Sequence, residues 1–366
     1  MTENMSTINI PGYPVSEMVS ILSNLYATAI KTGTSIGGFP TPFLWGPPGV
    51  GKSQGIHQMG DRISELTGKK VKITDIRLLL FSPIDLRGVP VADATRTFTD
   101  WLKPRIFDMD NSADTVNIIL LDELSAAPQS IQAAAYQICL DKRIGEHTLP
   151  DNCIVVAAGN RTTDQSVSYK MPKALANRLM HMNITADYVS WRKWALNNDI
   201  DKRIIAYLDY DNSKFCVEPS SSDLAYPTPR SWEFVSNIIK SAAKDKELKP
   251  VLHLIAGCVG LDTAIELSEF TENVLKLPNI NRIKKGKSTM YPQDANVLYA
   301  LVNILSKIVR EEFETLTNME IGNICDYVSN IPKDYIAVFC KEVGSIKDSQ
   351  SRFMKIWEYQ KLLRII

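Results

Sequence analysis

The sequence predicts an α/β fold, in which helices cover both faces of a mostly parallel β-sheet, followed by an all-helical region. Short apolar runs alternate with amphipathic segments over the first half of the chain, which is typical of such a covered sheet. Two of these runs lead directly into segments rich in glycine or in acidic residues. Beyond about residue 186, helical patterns dominate and strand patterns fade.

The first half of the chain shows its elements in a clear order. Residues 15–32 carry a wide apolar stripe at helical spacing and predict an amphipathic helix. The apolar run at 43–45 predicts a buried strand, and a helix is predicted from Ser53 to the stop signal at Gly68. Further strands are predicted at about 71–80, 116–121, 153–158 and 180–184, with a helix at about 128–140.

The second half of the chain is predicted to be helical. Pro227 and Pro229 interrupt it before a helix that begins near Ser231. Residues 277–294 predict a polar loop, and the remainder predicts several helices with a break near 329–333. We therefore expect three parts, an α/β domain at 1–190, a helical domain at 191–275 and a C-terminal helical extension at 276–366.

The composition is that of an ordinary globular protein and excludes several classes of function. Of the 366 residues, 45% are apolar and 22% are charged, and 41 Lys and Arg residues balance 41 Asp and Glu residues. A net charge near zero provides no overall attraction for nucleic acid or anionic lipid, so neither is an expected partner. The sequence lacks a secretory signal and any apolar run as long as a membrane span, which predicts a cytoplasmic protein.

A glycine-rich motif, GPPGVGKS, directly follows the first buried strand. It fits the phosphate-loop pattern GxxxxGK[ST], in which glycines let backbone N–H groups turn inward around a phosphate and the next helix adds its dipole. Lys52 is expected to contact the β- and γ-phosphates of ATP, and Ser53 to bind Mg²⁺. A glycine-rich turn without a ligand is the alternative. The expected nucleotide contacts are Gly46, Pro47, Pro48, Gly49, Val50, Gly51, Lys52, Ser53 and Gln54.

A second motif consists of four apolar residues followed by Asp122 and Glu123. A buried strand would deliver Asp122 to the carboxyl edge of the sheet, where it can hold magnesium directly or through water. Glu123 is then placed to polarise the attacking water. Strands often end in acidic residues for solubility alone, but the spacing of about 70 residues from the phosphate loop favours the catalytic interpretation.

Together, GPPGVGKS, LLDE and AAGN resemble the motifs of the AAA+ ATPases, and more narrowly those of the MoxR-like branch in the helix-2-insert clade. The resemblance covers about residues 10–270. It implies a P-loop NTPase core with an all-α lid that hydrolyses Mg-ATP in a homo-oligomeric, hexameric ring and remodels a protein client. Such proteins commonly act with a partner carrying a von Willebrand factor A domain. The matching phrases are SPIDLRGVP at 82–90, RIGEHTLP at 143–150, AAGNRTTD at 157–164, MPKALANRLMH at 171–181 and PTPRSWEFVS at 227–236.

The resemblance adds three residues to the expected site. Asn160 matches sensor 1, which helps to orient the lytic water, although Gly-Asn pairs also form simple turns. Arg178 matches the arginine finger that reaches the γ-phosphate of the neighbouring subunit, with a surface arginine as the alternative and Arg161 as a rival candidate. Arg230 matches the sensor 2 arginine at the start of a lid helix. Whether Arg230 acts on its own subunit's nucleotide or on the neighbour's stays open.

Two hairpins are predicted outside the sheet. Residues at about 86–106 show partial alternation and, by the resemblance, form the insert in helix 2, while residues 141–151 form a second hairpin. In similar proteins both hairpins face the pore or the upper surface of the ring. The candidate partner contacts are Phe98, Trp101, Arg143 and His147, although local packing of the two aromatic residues is an equally good interpretation. Three other histidines are expected to be structural, namely His57, His181 and His253.

Two other functions remain open. The chain could be a nucleotide-gated switch or scaffold with slow hydrolysis, although the presence of Glu123, Asn160 and Arg178 argues against a pure switch. It could also be a nucleic-acid motor or loader, which the neutral charge and the lack of a DNA-binding motif disfavour.

Overall fold

The computed structural model describes residues 10–161, 164, 169, 171–242, 247–288, 290–346 and 350–365. The chain divides into two compact units. The first extends to Asn237 and includes Cys258–Gly260, and the second comprises Ile238–Gly257 and Leu261–Ile366. The predicted division into three parts stays a prediction. In the part of the chain that the structure describes, no helix is both long and apolar enough to cross a membrane.

The first unit contains a six-stranded sheet and two small hairpins. Its strands, in chain order, are β1 (Gly12–Pro14), β2 (Pro42–Trp45), β3 (Lys70–Arg77), β4 (Val89–Ala92), β5 (Thr99–Leu102), β6 (Thr115–Asp122), β7 (Arg143–Ile144), β8 (His147–Thr148), β9 (Cys153–Gly159) and β10 (Met180–Thr185). The large sheet has the order β1-β10-β2-β9-β6-β3, and all of its neighbouring strands are parallel. The predicted parallel α/β fold is therefore confirmed.

The helices of the first unit lie between these strands or follow the last of them. They are α1 (Val15–Thr32), α2 (Lys52–Thr67), α3 (Pro83–Arg87), α4 (Gln129–Asp141), α5 (Lys173–Ala176), α6 (Tyr188–Asn197), α7 (Lys202–Tyr210) and the first part of α8 (Pro229–Ala242). The predicted bounds of α1 are confirmed, and α2 ends one residue before Gly68 as predicted. The apolar faces of α1, α2 and α4 pack on the sheet, because parallel strands expose apolar side chains on both faces.

Two apolar clusters occupy the two faces of the sheet. On β6, Ile119 and Leu121 belong to the cluster that includes Phe43, whereas Ile118 and Leu120 belong to the cluster that includes Ile56. Successive residues of a strand point to opposite faces, so a continuous apolar run feeds both clusters at once. The strands β6 and β9 are consequently buried over almost their whole length.

Two boundaries differ from the sequence prediction. The strand expected to reach residue 80 ends at Arg77, because Leu78–Leu80 form a short 3₁₀ turn that buries Leu78 and exposes the next two leucines. The edge strand β1 was not predicted, since three residues are too few to show an alternating pattern. It pairs with β10, which extends the sheet beyond the predicted five strands.

Both predicted hairpins are confirmed. Strands β4 and β5 are antiparallel, with Val89 opposite Leu102, and β7 and β8 form a shorter antiparallel pair. The loop of the first hairpin is held by Asp93, whose carboxylate accepts hydrogen bonds from the backbone N–H groups of Thr95, Thr97 and Phe98.

The second unit is helical. It contains the end of α8, most of α9 (Leu252–Val259), α10 (Leu261–Leu275), α11 (Ile280–Lys284), α12 (Ala295–Glu311), α13 (Asn318–Val328), α14 (Lys333–Gly344), α15 (Gln350–Phe353) and α16 (Trp357–Ile365). The predicted break near residue 330 is confirmed. The prediction of a plain loop at 277–294 is wrong, because α11 lies within it. Asn279 caps α11, and Ile283 is fully buried in the apolar cluster of this unit.

Candidate functional site

The loop between β2 and α2 is shaped for an anion. Gly49 and Gly51 adopt left-handed backbone conformations, with φ of 78° and 100°, which glycine tolerates best. Gly51 occupies the cap position of α2, and no side chain caps the free N–H groups there. The N-terminus of a helix of 16 residues is thus open toward the loop, and such a terminus favours a phosphate through its N–H groups and its dipole.

Lys52 lies on the inner side of this loop. Its Nζ donates hydrogen bonds to the carbonyl oxygens of Gly46 at 2.5 Å and Pro47 at 3.0 Å, and to Oδ1 of Asn160 at 3.0 Å. Burial lowers the pKa of Lys52 to about 8, because water no longer stabilises the ammonium, although the charges of Asp122 and Asp164 partly oppose this effect. A bound polyanion would supply the negative charge that this buried ammonium needs as a partner.

The predicted pair of metal ligands is in direct contact. Ser53 lies in the first turn of α2, and Asp122 is the last residue of β6. The hydroxyl of Ser53 donates to Oδ2 of Asp122 at 2.6 Å, while Oδ1 of Asp122 accepts from the backbone N–H of Glu123 at 2.8 Å. Two hard oxygen donors from separate elements therefore meet beside the loop, which is the donor chemistry that Mg²⁺ prefers.

The ends of β6 and β9 are tied together next to this pair. The backbone N–H of Leu124 donates to the carbonyl of Ala158 at 2.9 Å. Ser125 is bonded to both the backbone N–H and the carbonyl oxygen of Asn160, each at 3.0 Å. These bonds aim the side chain of Asn160 at Lys52, so the two predicted residues belong to one hydrogen-bonded group.

A cavity of about 510 Å³ opens beside the loop, within the first unit. This volume is in the range of small-molecule sites. Eight of the predicted site residues line it: Gly49, Val50, Gly51, Ser53, Gln54, Asp122, Glu123 and Arg230. Lys52 and Asn160 adjoin it through the bonds described above. Gly46 and Pro47 contribute carbonyl oxygens to Lys52, whereas Pro48 is not among the lining residues.

The three candidate arginines occupy different places. Arg230 lines the cavity of its own chain, and its backbone N–H donates to the carbonyl of Gly49 at 3.3 Å. Arg161 is bound within its own chain, since its guanidinium contacts Asn183 and lies 3.9 Å from the carboxylate of Asp164. Residues 162–163 of the matching phrase AAGNRTTD lie outside the described residues.

Arg178 is exposed and is not among the residues that line the cavity. It precedes β10, which begins at Met180, so it lies at the amino edge of the parallel sheet. The phosphate loop follows β2 at the opposite, carboxyl edge, because Trp45 pairs with Asn183 near the end of β10. Six strand residues separate the two edges by roughly 17 Å. The structure therefore does not bring Arg178 to the site of its own chain.

An aromatic wall, consisting of Trp191, Trp194 and Phe215, lines the same cavity and was not predicted. The ring centroids of Trp191 lie 5.1 Å from Phe215 and 6.4 Å from Trp194. The helix that carries the tryptophans is anchored by Asp209, which accepts hydrogen bonds from Arg192 at 2.6 and 2.8 Å and from the hydroxyl of Tyr188 at 2.8 Å. The aromatic spacing at 188, 191 and 194 is a one-faced helical pattern, which shows that these side chains share a face of α6 but not that this face lines the cavity.

Three further residues of the site were also missed or misjudged. His57 was expected to be structural, but it is exposed and lines the cavity together with Asp75 of β3. Burial raises the pKa of Asp75, and the nearby charge of Asp122 raises it further. Thr228 is buried against the loop, where a Cβ on Gly49 would lie only 2.9 Å from its Oγ1. No local pattern marks Thr228, since only the folded chain brings it to Gly49.

The two hairpins contact one another. Nε2 of His147 lies 2.7 Å from the carbonyl oxygen of Trp101, and the guanidinium of Arg87 lies over the Trp101 ring at 5.5 Å. Trp101 thus packs locally, which was the alternative interpretation, whereas Phe98 leaves 72% of its surface exposed. The role of Phe98, Arg143 and His147 in binding a partner stays a prediction.

No protein-family model matches this chain, and no curated protein matches it. Among solved structures, the chain is similar to the ORC2 protein of Aeropyrum pernix in ADPNP-ADP complexes, with 11% identity, coverage of 98% of this chain and 88% of that chain, and a TM-score of 0.40. It is also similar to NtrX from Brucella abortus in complex with ADP, with 14% identity, coverage of 95% and 69%, and a TM-score of 0.39. A mutant of RuvB from Thermotoga maritima has 14% identity, coverage of 96% and 86%, and a TM-score of 0.37. Likeness this remote carries no argument about activity, which depends on the residues of the site.

Proposed function

We propose that this chain is an AAA+ ATPase of the MoxR-like branch that binds Mg-ATP and hydrolyses it. The observation that carries this proposal is the environment of Lys52. Its ammonium is buried inside a glycine-rich loop, bonded to Asn160, and adjacent to the contact between Ser53 and Asp122. Among the described residues, this buried cation is bonded only to neutral groups, and it lies beside an open helix N-terminus. Such a site is suited to a polyanion such as the triphosphate of ATP.

The base and the phosphates would occupy different parts of the cavity. The phosphates would lie on the loop, where Gly51 and Ser53 begin α2. The aromatic wall offers flat apolar surface on which a purine ring can stack. Arg230 lines the same cavity and would contact the phosphates of its own chain's nucleotide.

Magnesium fits the oxygen donors at the end of the loop. Ser53 and Asp122 would hold it, in place of the hydrogen bond that joins them in this structure. When bound, Mg²⁺ neutralises charge on the β- and γ-phosphate oxygens.

Glu123 and Asn160 would arrange the attacking water. Glu123 lines the cavity directly after the metal-binding Asp122, which suits a general base. The amide of Asn160 is oriented by Ser125 and bonded to Lys52, so it can position a water without needing to reorganise. Together the two residues would direct the water toward the γ-phosphate.

Arg178 would complete the site of a neighbouring subunit. It lies at the edge of the sheet opposite its own phosphate loop and is exposed to solvent. An arginine in this place can neutralise the γ-phosphate only across a subunit interface. We therefore propose a homo-oligomeric ring, hexameric by the resemblance, in which hydrolysis requires assembly.

The ring would remodel a partner protein. The first hairpin exposes Phe98, and Asp93 fixes the loop that carries it. The hairpins would therefore offer a client an exposed aromatic side chain on a well-ordered loop. A client with a von Willebrand factor A domain remains part of this proposal on the strength of the sequence resemblance.

Turnover of ATP by the purified full chain tests the proposal. We expect Mg²⁺-dependent release of phosphate by the wild-type chain, tight ATP binding without turnover by Glu123→Gln, and no binding by Lys52→Ala. The fluorescence of Trp191 and Trp194 should report binding in the first two proteins. If calorimetry detects no uptake of Mg-ATP by the wild-type chain, the proposal is wrong.

The same assay separates the rival functions. A switch or scaffold would bind ATP and show equal, slow turnover in the wild-type chain and in Glu123→Gln. A nucleic-acid motor or loader would show turnover that rises when single- or double-stranded DNA is added. We expect no stimulation by DNA, because the chain carries no net positive charge.

A further inference from the structure

His181 on β10 joins the strand before the phosphate loop to the turn that carries Arg178. Its Nδ1 accepts a hydrogen bond from Nε1 of Trp45 at 2.9 Å, and its Nε2 lies 2.8 Å from the carbonyl oxygen of Ala176. An indole N–H only donates and a carbonyl only accepts, so the two contacts together require the tautomer with its proton on Nε2. A single half-buried side chain therefore connects two separate segments.

One end of this connection reaches the nucleotide site. Trp45 is the last residue of β2 and directly precedes Gly46, whose carbonyl oxygen accepts the 2.5 Å hydrogen bond from Lys52. The indole and imidazole rings lie edge to edge, with ring centroids 6.0 Å apart and an interplanar angle of 25°. The indole also packs against Phe43, at 4.3 Å. A displacement of Gly46 would therefore move the adjacent Trp45, whose indole contacts both His181 and Phe43.

The other end reaches the turn before β10. Ala176 is the last residue of α5, and its carbonyl oxygen also accepts a hydrogen bond from the backbone N–H of Leu179 at 3.2 Å. Leu179 is buried, whereas Arg178, next to it, is exposed. The Ala176 carbonyl is therefore part of the turn that exposes Arg178 to solvent.

We propose that His181 is a positioning residue that couples the nucleotide site of one subunit to the arginine that the same subunit offers to its neighbour. The inference rests on the proposed function, because Arg178 has a catalytic role only within an assembly. The connection of Trp45, His181 and Ala176 holds the turn in one place relative to the phosphate loop. Without this connection, the turn would keep its backbone conformation, but its position relative to the phosphate loop would no longer be fixed.

A mixture of two variants isolates this coupling. The donor variant carries Glu123→Gln, so that it cannot hydrolyse ATP but still offers Arg178. The acceptor variant carries Arg178→Ala, so that it keeps an intact site but offers no arginine. Activity in the mixture arises only where an acceptor site faces a donor arginine. His181→Phe, which keeps an aromatic ring and removes both hydrogen bonds, is then added to either the donor or the acceptor.

The expected result depends on where the substitution is placed. In the donor, His181→Phe should lower kcat about fivefold, the effect of one ordinary hydrogen bond, and leave KM for ATP unchanged. In the acceptor, the same substitution should change kcat by less than about twofold, because the arginine is already absent. Trp45→Phe, which removes only the indole N–H, should show the same asymmetry and serves if His181→Phe does not fold.

Two results would overturn the inference in different ways. Equal losses in donor and acceptor, or a rise in KM alone, would mean that His181 only supports packing around β10. The mixture without any change at His181 is measured first, beside each variant alone. If that mixture is no more active than its components, the trans role of Arg178 fails, and the proposed assembly fails with it.

Discussion

Glu123 adopts a left-handed backbone conformation, with φ of 61°, directly after β6. In residues other than glycine, this conformation brings Cβ close to a carbonyl oxygen and costs about 1–2 kcal/mol. The conformation is held on both sides, since the N–H of Glu123 is bonded to Asp122 and the N–H of Leu124 is bonded to Ala158. The chain thus keeps this carboxylate at the cavity at some expense of stability, as is common at functional sites.

Two substitutions that remove the Glu123 carboxylate should differ in stability. Glu123→Gly relieves the left-handed backbone, whereas Glu123→Ala keeps it, so we expect the glycine variant to be more stable by about 1 kcal/mol. Urea unfolding without nucleotide measures the difference, and both variants should lose ATP turnover alike. An alanine variant as stable as the glycine variant would show that the backbone at this position is not strained.

Lys52 should make nucleotide binding depend on pH. Its pKa of about 8 lies below the ordinary value of 10.5, chiefly because of burial, so above pH 8 the free protein increasingly loses the ammonium that a triphosphate needs. A bound triphosphate would favour the protonated form of Lys52 and so raise its pKa again. We therefore expect ATP affinity to fall roughly tenfold by one pH unit above the pKa, together with uptake of a proton on binding.

Calorimetry at pH 8.5 in two buffers with different ionisation enthalpies measures this proton uptake. The lowered pKa of Lys52 has the opposite effect on the stability of the fold, which rises with pH where ATP affinity falls. Between pH 8 and 10.5 the unfolded chain binds more protons at Lys52 than the folded chain, so its contribution to stability rises with pH in this window. An ATP affinity that is constant from pH 7 to 9.5 would contradict the assignment of Lys52.

At the scale of elements, the start of α8 is fitted to the phosphate loop. Thr228 and Ser231 cap the helix reciprocally, since the N–H of Ser231 donates to Oγ1 of Thr228 at 3.0 Å and the N–H of Thr228 donates to the Ser231 hydroxyl at 2.7 Å. The same Thr228 side chain packs against Gly49. The helix that carries Arg230 is therefore aligned by one residue that touches the loop.

Replacement of Thr228 by valine should separate the cap from the packing. Valine keeps the shape against Gly49 but lacks the hydroxyl, so we expect a loss of about 1 kcal/mol of stability and a higher KM for ATP as Arg230 loses its alignment. Thr228→Ser retains the hydroxyl and is the matched control. Thermal unfolding and steady-state kinetics measure the two effects. If serine and valine behave alike, the hydroxyl has no part in aligning α8.

At the scale of the whole molecule, one chain does not contain all the residues of the proposed site. Lys52, Asp122, Glu123, Asn160 and Arg230 come together in the first unit, whereas Arg178 lies at the opposite edge of the sheet. A parallel sheet separates its two edges by the full length of its strands, so no side-chain rotation closes this gap. A second copy of the chain is the simplest source of the missing cation.

Turnover per chain should therefore depend on protein concentration. Dilution below the assembly threshold separates each site from its neighbour's Arg178, and we expect turnover to fall in step with dissociation followed by analytical ultracentrifugation. Arg178→Ala should lower turnover by about 10³-fold or more and remove the dependence on concentration. Constant turnover per chain through dissociation would show that Arg178 does not act between subunits.

Much of the first unit could be predicted, because the sequence patterns that indicate its elements involve residues close together in the chain. Strand β6 is a continuous apolar run that ends in two carboxylates, and the glycines before Lys52 permit the left-handed backbone conformations that a tight loop requires. Two short elements outside the hairpins could not be predicted. The strand β1 and the helix α11 exist through their pairing and packing, with β10 and with the apolar cluster of the second unit, and show no pattern of their own.

The sequence by itself determined the parallel sheet, the loop around Lys52 and the carboxylates that follow β6, because each depends on residue types at fixed local spacing. Only the tertiary structure decided that Thr228 seats against Gly49, that aromatic side chains of α6 line the cavity, and that His181 joins Trp45 to the turn before β10. These are contacts between residues far apart in the chain. They depend on how packed elements meet in space, which spacing along the sequence does not encode.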